Sequence, residues 1–323
     1  MRRDDSGRRP RYIFAAGLLA WVASAVLAAP LDERLDAYLE QHELLGLRAH
    51  TLEKRLPGAA LGERGKLLLD LAGTYEALLK VLPPAKQAAV RERCRVLLRE
   101  NARPELDAIR VDLLKAEYLD AEAAAERARL KTTAESDAAA TVATLKRLAA
   151  EFSEVAQQAS VRVKQLEGQE QGRGDVSFAD ASELRAQLAD ARRVRSLARY
   201  YSGWSACYAA QLLGDRGYAN EALLQFGALL NALERRTPTL DRLPKTLLVH
   251  EHVARAALGA ATCFSVAGND AEALRWLDEI STAEGVPKTV ADQVLTRRSA
   301  VLARSSRWSE LSRWVDRARA PQG

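Results

Sequence analysis

Apolar positions fall at helical spacing along almost the whole of this chain. The start is different: a basic MRRDDSGRRPR precedes an apolar run from Ile13 to Val26, which leads into Leu27-Ala28-Ala29-Pro30. A basic head, a short apolar centre and compact residues three and one before a break form the pattern of a secretory signal. Residues 1–29 are therefore read as a signal peptide cleaved after Ala28, or as an N-terminal membrane anchor if uncleaved. The run is short of the roughly 20 residues that a spanning helix needs. Over residues 30–60, Leu31, Leu35, Tyr38, His42, Leu45, Ala49, Leu52 and Leu56 follow one another at alternating steps of four and three. That is a heptad seam, closed by Pro57-Gly58, and it predicts one amphipathic helix that either covers the next helices or pairs two copies of the chain.

Residues 61–167 read as helical hairpins. Leu67 to Leu82, carrying Ala72 and Tyr75, stops at Pro83-Pro84, and Ala85 to Leu98 returns. Pro104 opens Glu105 to Leu130, where Leu114, Tyr118 and Ala121 share a face; proline at a helix start costs no hydrogen bond. A further pair, Asp137 to Ala150 and Glu154 to Leu166, is expected to join at Glu151-Phe152-Ser153. Residues 168–176 hold three glycines and are assigned to a linker. In 177–320, Ser177 or Asp180 can cap a helix through Arg199, which Tyr200 to Leu213 continues or follows. Gly214 and Gly217 punctuate before Glu221-Ala222 and Phe226, and Arg235 to Lys245, with two prolines, reads as an inserted loop.

The most ordered stretch is Ala254 to Ile280. Ala257, Ala260 and Ala261 line one face with Phe264 a turn on, Gly268-Asn269-Asp270 breaks the helix, and Glu272-Ala273 opens a second one bearing Leu277 and Ile280. This order resembles a tetratricopeptide repeat, a family with a period of about 34 residues. Here Ala257 stands where the family has a large residue and Leu277 where it has a late aromatic. Glu310-Leu311 and Val315, 38 residues after Ala273, resemble a terminal unit. The resemblance implies an all-α, TPR-like α-solenoid of stacked antiparallel helical hairpins, and a non-catalytic scaffold that binds a protein or peptide in its concave groove.

Composition supports an all-helical chain: aromatics reach only 6% of 323 residues while Ala, Leu, Arg and Glu dominate. The net charge of +5 hints at nucleic acid, but five arginines and two aspartates of residues 1–11 account for most of it. Without them 43 basic residues face 41 acidic ones, about +2, and no nucleic-acid partner is expected. Cys94, Cys207 and Cys263 are far apart and read as buried thiols, with a Cys207–Cys263 disulfide as the alternative.

No phosphate loop, dinucleotide fingerprint, HExxH or nucleophile elbow occurs, so neither an enzyme nor a cofactor is expected. No metal site is expected either: His250 and His252, two apart, lie on nearly opposite faces of a helix. One cluster invites a role. Tyr200, Trp204 and Tyr208 form an aromatic stripe four residues apart, with Arg195 and Arg199 beside it. These five residues are the candidate partner-binding set in a cell-envelope protein, by stacking and ion pairing with an extended or acidic peptide. The alternative is that the stripe fills the space between helices. Two rival functions stand beside the scaffold: a structural envelope protein that self-assembles through residues 31–56, and an enzyme whose site carries no familiar motif.

Overall fold

The computed structural model describes residues 31–41, 43–101, 103–172, 178–230, 236–243 and 245–319. The signal or anchor segment, His42 of the seam and residues 173–176 of the linker lie outside the described residues. Among those described there are twelve α-helices and no strand. None of the helices is long and apolar enough to cross a membrane. The chain divides into two compact units, Met1–Glu100 and Asn101–Gly323.

The first unit holds α1 (Leu31–Gln41), α2 (Leu45–Arg55), α3 (Leu61–Val81) and α4 (Pro84–Glu100), each packed on the next. The seam over residues 31–56 is not one helix. The chain turns at Glu43, whose φ of 53° is left-handed, so the four-three register of α1 is lost before α2 begins. In consequence Leu39 is buried in α1 whereas Leu35 and Tyr38, both seam positions, are 40% and 55% exposed. Ala49 and Leu52 of α2 do point inward, into a core that includes Leu68, Leu71, Ala72, Tyr75 and Cys94. Arg55 pairs with Asp36 at 2.6 Å, and the Tyr75 hydroxyl donates to Glu53. The prolines stop α3 as expected, and Gln87 Nε2 donates to the Leu79 and Leu82 carbonyls that the stop leaves open.

The second unit holds α5 (Asp107–Arg129), α6 (Glu135–Gly172), α7 (Phe178–Leu213), α8 (Arg216–Leu229), α9 (Glu251–Val266), α10 (Asp270–Thr282), α11 (Lys288–Arg304) and α12 (Trp308–Arg319). The break expected at Glu151-Phe152-Ser153 is absent. Residues 151–153 contain neither glycine nor proline, Phe152 and Val155 are fully buried, and α6 runs unbroken for 38 residues. It absorbs residues 168–172 of the expected linker as its last turn. Of the two alternatives for Tyr200 to Leu213, continuation holds: α7 runs through Arg199-Tyr200 for 36 residues. The two long helices pack side by side, tied by Ser202 Oγ to the Ala149 carbonyl at 2.9 Å and by Arg192 to Glu167 at 2.8 Å.

Shorter helices follow, and two of the preceding ends fall at glycines read as breaks. Gly214, at a φ of 68°, ends α7, and Asp215 caps α8 by accepting from the Gly217 amide at 2.6 Å. Gly268, at 92°, ends α9, and Asn269 caps α10 through the Glu272 amide at 3.2 Å. Between α8 and α9 the described residues form two 3-10 turns, Leu240–Arg242 and Lys245–Val249, with Leu243 and Leu248 buried, and Arg235 and Pro244 of the expected loop lie outside the described residues.

In the second unit each helix packs on the next, and α5 also meets α7, α7 meets α9, and α9 meets α11. The four odd-numbered helices are thus consecutive neighbours. One ring fixes how closely α7 and α9 approach. Phe226 of α8, wholly buried, lies against Gly203 of α7 and Gly259 of α9, and a β-carbon on either glycine would fall 2.7 or 2.5 Å from it. A side chain at either place would force the ring to shift.

Candidate functional site on the face of helices α5, α7 and α9

The aromatic stripe lies inside the unit. Tyr200, Trp204 and Tyr208 are between 1% and 5% exposed, because α5, α6, α8 and α9 together cover α7 over residues 200–210. The space-filling alternative is therefore what the structure shows for Trp204 and Tyr208, whereas Tyr200 also lines the cleft described next. The two arginines belong elsewhere. Arg199, half-buried, directs Nη2 to Ser160 Oγ of α6 at 3.2 Å, and neither it nor half-buried Arg195 reaches the cleft described next.

That cleft, of about 140 Å³, opens where α5, α7 and α9 meet. Tyr118, Leu119 and Glu122 come from α5, Tyr200 and Tyr201 from α7, and Glu251, His252 and Arg255 from α9. Their spacings explain the convergence: Tyr118 and Glu122, like Glu251 and Arg255, are four apart and share a helix face. Arg255 Nη2 meets Glu122 Oε1 at 2.8 Å, and the Tyr208 hydroxyl donates to the same oxygen at 3.2 Å. The guanidinium also lies 5.7 Å from the centre of the Trp204 ring, a cation–π contact. Tyr201 packs on Tyr118 and on Tyr200 at 5.1 Å in each case, and Tyr200 meets His252 edge-on at 5.0 Å.

Electrostatics keep the four tyrosines and Arg255 in their ordinary charge states. Burial first, and the Glu122 carboxylate with it, pushes the Tyr118 and Tyr208 phenols well above their usual range, and burial raises Tyr200 and Tyr201. All four remain neutral donors at physiological pH. Burial works against the Arg255 cation, but Tyr200 and Glu122 outweigh it and hold the charge. Three buried polar atoms here have no hydrogen-bond partner among the described residues: Tyr118 Oη, Trp204 Nε1 and Arg255 Nε. Leaving such a group dry costs on the order of 1–3 kcal/mol.

A second cleft, of about 200 Å³, lies toward the C-terminal ends of α5, α7, α9 and α11, lined by Arg129, Gln211, Thr262, Ser265, Arg297 and Arg304 among others. Arg297, 7% exposed, donates to Gln211 Oε1 at 2.8 Å and to Glu126 Oε1 at 2.9 Å, and Arg129 Nε reaches Glu126 Oε2 at 2.8 Å. Arg304 donates to the Ser265 carbonyl and to Asp270. Helix C-termini carry partial negative charge and open carbonyls, and Arg304 meets one of them at Ser265, whereas Arg129 and Arg297 pair with side chains.

Two of the acidic residues of α5 thus bridge to α9 and α11, Glu122 to Arg255 and Glu126 to Arg297. A helix with its side chains is about 10 Å across. Spaces of 140 and 200 Å³ take one side chain or a short extended segment, not a docked helix. His250 precedes α9 and His252 stands at the cleft rim. Among the described residues no group of three or more His, Cys, Asp or Glu could hold a metal ion. The chain matches no protein-family model, and it has no match among curated proteins or solved structures.

Proposed function

We infer that this protein is a non-catalytic, TPR-like scaffold of the cell envelope that holds a short segment of a partner protein at the tyrosine-walled cleft. The observation that carries the reading is the Tyr118 hydroxyl: buried, neutral and without a partner, it stands beside Tyr200, Tyr201 and the Glu122–Arg255 pair in a space of side-chain size. Donors and acceptors set in aromatic walls suit the polar side chain or main chain of an extended peptide.

The packing order supports a stack of hairpins, with odd-numbered helices as one row and even-numbered helices behind. Glu251 and Lys288, which open successive hairpins, are 37 positions apart, close to the period of about 34 residues of tetratricopeptide repeats. The α6–α7 hairpin departs from that pattern, since each of its helices exceeds a whole period. Export to the periplasm rests on the basic-apolar-small pattern of residues 1–29.

The test is affinity capture from envelope extract with the chain from residue 29 onward. Leu119→Asp and His252→Ala change the cleft rim, where Leu119 is 50% exposed, and leave the core intact. A partner held by the parent chain and lost by both variants, at unchanged helicity, supports the reading. An identical set of captured proteins refutes it.

Self-association is a second reading, favoured by Leu35, Tyr38, Leu44 and Leu47, which stand 38–58% exposed on α1, α2 and the turn between them. It calls for a mass by light scattering that rises with concentration and falls to that of one chain in Leu47→Asp.

A further inference from the structure

We propose that the cleft between the start of α5 and the facing stretches of α6 and α7 binds an alkylammonium group, with the Asp107 carboxylate as its anchor. The cleft is about 250 Å³, somewhat below the roughly 300–1,000 Å³ of pockets for drug-sized ligands. It lies about three turns before Tyr118 on α5 and shares no residue with the tyrosine-walled cleft. Its acids come from three elements: Glu105 from the 3-10 turn Pro104–Leu106, Asp107 from α5, and Glu183 and Asp190 from α7. Arg162 of α6 is the cation that lines it.

Asp107 is the side chain that points to a ligand. It is 8% exposed, it lines the cleft, and its carboxyl has no hydrogen-bond or ion-pair partner among the described residues. The cations that could answer it are engaged elsewhere. Arg110, one turn on, meets Glu154 of α6 at 2.9 Å, and Arg162 donates to the neutral Gln187 amide oxygen at 3.3 Å. Asp190 pairs with Arg193 at 2.9 Å, while Glu183 accepts from Gln187 Nε2 at 2.9 Å. Glu105, Asp107 and Glu183 have no ion pair among the described residues, so in this wall three carboxylates stand against the one guanidinium of Arg162. A buried carboxylate without a partner is costly, and a cation seated beside it relieves that cost.

Among the described residues no three His, Cys, Asp or Glu converge on a metal ion. An ammonium asks less of the wall, because its three donors can meet carboxylates on different sides. Ala159, Ala191 and Val194 supply an apolar wall along which methylene groups can lie. The ammonium end of a free diamine and that of a lysine side chain share this chemistry. Burial pushes the Asp107 carboxyl up to about 6; Arg110 opposes the rise, and Glu105, Asp190 and Glu154 add to it. With Arg162 and Glu183, these are the charges that face it from the preceding turn, α5, α6 and α7. A cation beside the carboxylate favours its charged form. Binding therefore strengthens as the pH rises through about 6 and weakens as Asp107 takes up its proton.

The test titrates the full chain by calorimetry at about pH 7 and low salt, with 1,4-diaminobutane in one arm and Nα-acetyl-lysine amide in the other. The expected result is saturable one-to-one binding of at least one compound, weakened about tenfold at about pH 5 and at least about tenfold in Asp107→Asn at about pH 7. Tighter binding of the diamine supports the site with a free amine as its ligand, and tighter binding of the lysine amide supports it with a protein side chain. Saturation by neither compound overturns the proposal, as does equal affinity in Asp107→Asn or for the uncharged Nε-acetylated lysine amide. Glu183→Gln, on the exposed side of α7, is the second variant should Asp107→Asn fail to fold. A several-fold loss of affinity is expected there, and unchanged affinity overturns the proposal.

Discussion

A methyl group added at Gly259 falls where the Phe226 ring already stands, 2.5 Å from its tip. Gly259 lies within α9 and is itself fully enclosed, so two effects oppose each other. Alanine favours the helix over glycine by about 1 kcal/mol. The collision forces a ring held between two helices to shift, at about 1–3 kcal/mol for an overpacked core. The ring also touches Gly203 and lies 5.7 Å from Trp204, so there is no empty side to move into. Gly259→Ala is therefore expected to lower the stability of the unit by about 1 kcal/mol, read as a lower urea midpoint by circular dichroism at unchanged slope. Shortening the ring with Phe226→Leu removes the obstacle, and in that background Gly259→Ala should be neutral or stabilising. The coupling from the double-mutant cycle is expected at about 1–2 kcal/mol. A gain in stability from Gly259→Ala alone, or additive single effects, would refute the argument that this ring sets the α7–α9 spacing.

Asp107, 8% exposed at the start of α5, has its carboxyl pushed up to about 6, chiefly by burial. A raised carboxyl favours its neutral form in the fold, so stability should fall between about pH 4 and pH 6, and Asp107→Asn should recover about 1–3 kcal/mol at pH 7 while changing little at pH 4. Glu126 has the opposite sign: burial pushes it up, but Arg297 and Arg129 outweigh this and hold it below the usual carboxylate range. Its contribution is present above about pH 4.5 and lost as the pH falls through its folded value; Arg297→Gln should cost about 1–3 kcal/mol at pH 7, and less in acid. Tyr118→Phe removes a dry hydroxyl and should leave the chain as stable or up to about 1 kcal/mol more so, while weakening partner capture. A loss of more than about 1 kcal/mol in urea titration would show that the hydroxyl is bonded.

Helical spacing made the helices legible wherever a glycine, proline or capping residue marked their ends, as at Gly268-Asn269 and Pro83-Pro84. Where a boundary has no such mark the reading went astray in both directions. Glu151-Phe152-Ser153 continues as helix because its apolar side chain stays on the buried face, and Glu43 turns the chain with no breaker beside it. The α7 stripe illustrates a deeper limit. A period of four says that Tyr200, Trp204 and Tyr208 share a face, but not whether another helix lies on it. Two of the elements that cover them, α5 and α9, come from about 80 residues before and 50 after, a separation that local periodicity does not encode. For the same reason the Glu122–Arg255 bridge, between residues 133 positions apart, and the match of Phe226 to Gly203 and Gly259 were out of reach. The i, i+4 pairs Tyr118–Glu122 and Glu251–Arg255 were the one local signal for the cleft, and each is indistinguishable from an ordinary solvated face until the two helices meet.

The central claim, that a partner segment enters the cleft of α5, α7 and α9, is tested most directly by site-specific photo-crosslinking in the intact envelope. A photoreactive residue at Leu119, on the cleft rim, is compared with one at Val161, 54% exposed on α6. The account predicts a discrete protein adduct from position 119 that weakens with Tyr118→Phe and is absent from position 161. Equal adducts from both positions, or an adduct from 161 alone, would contradict it.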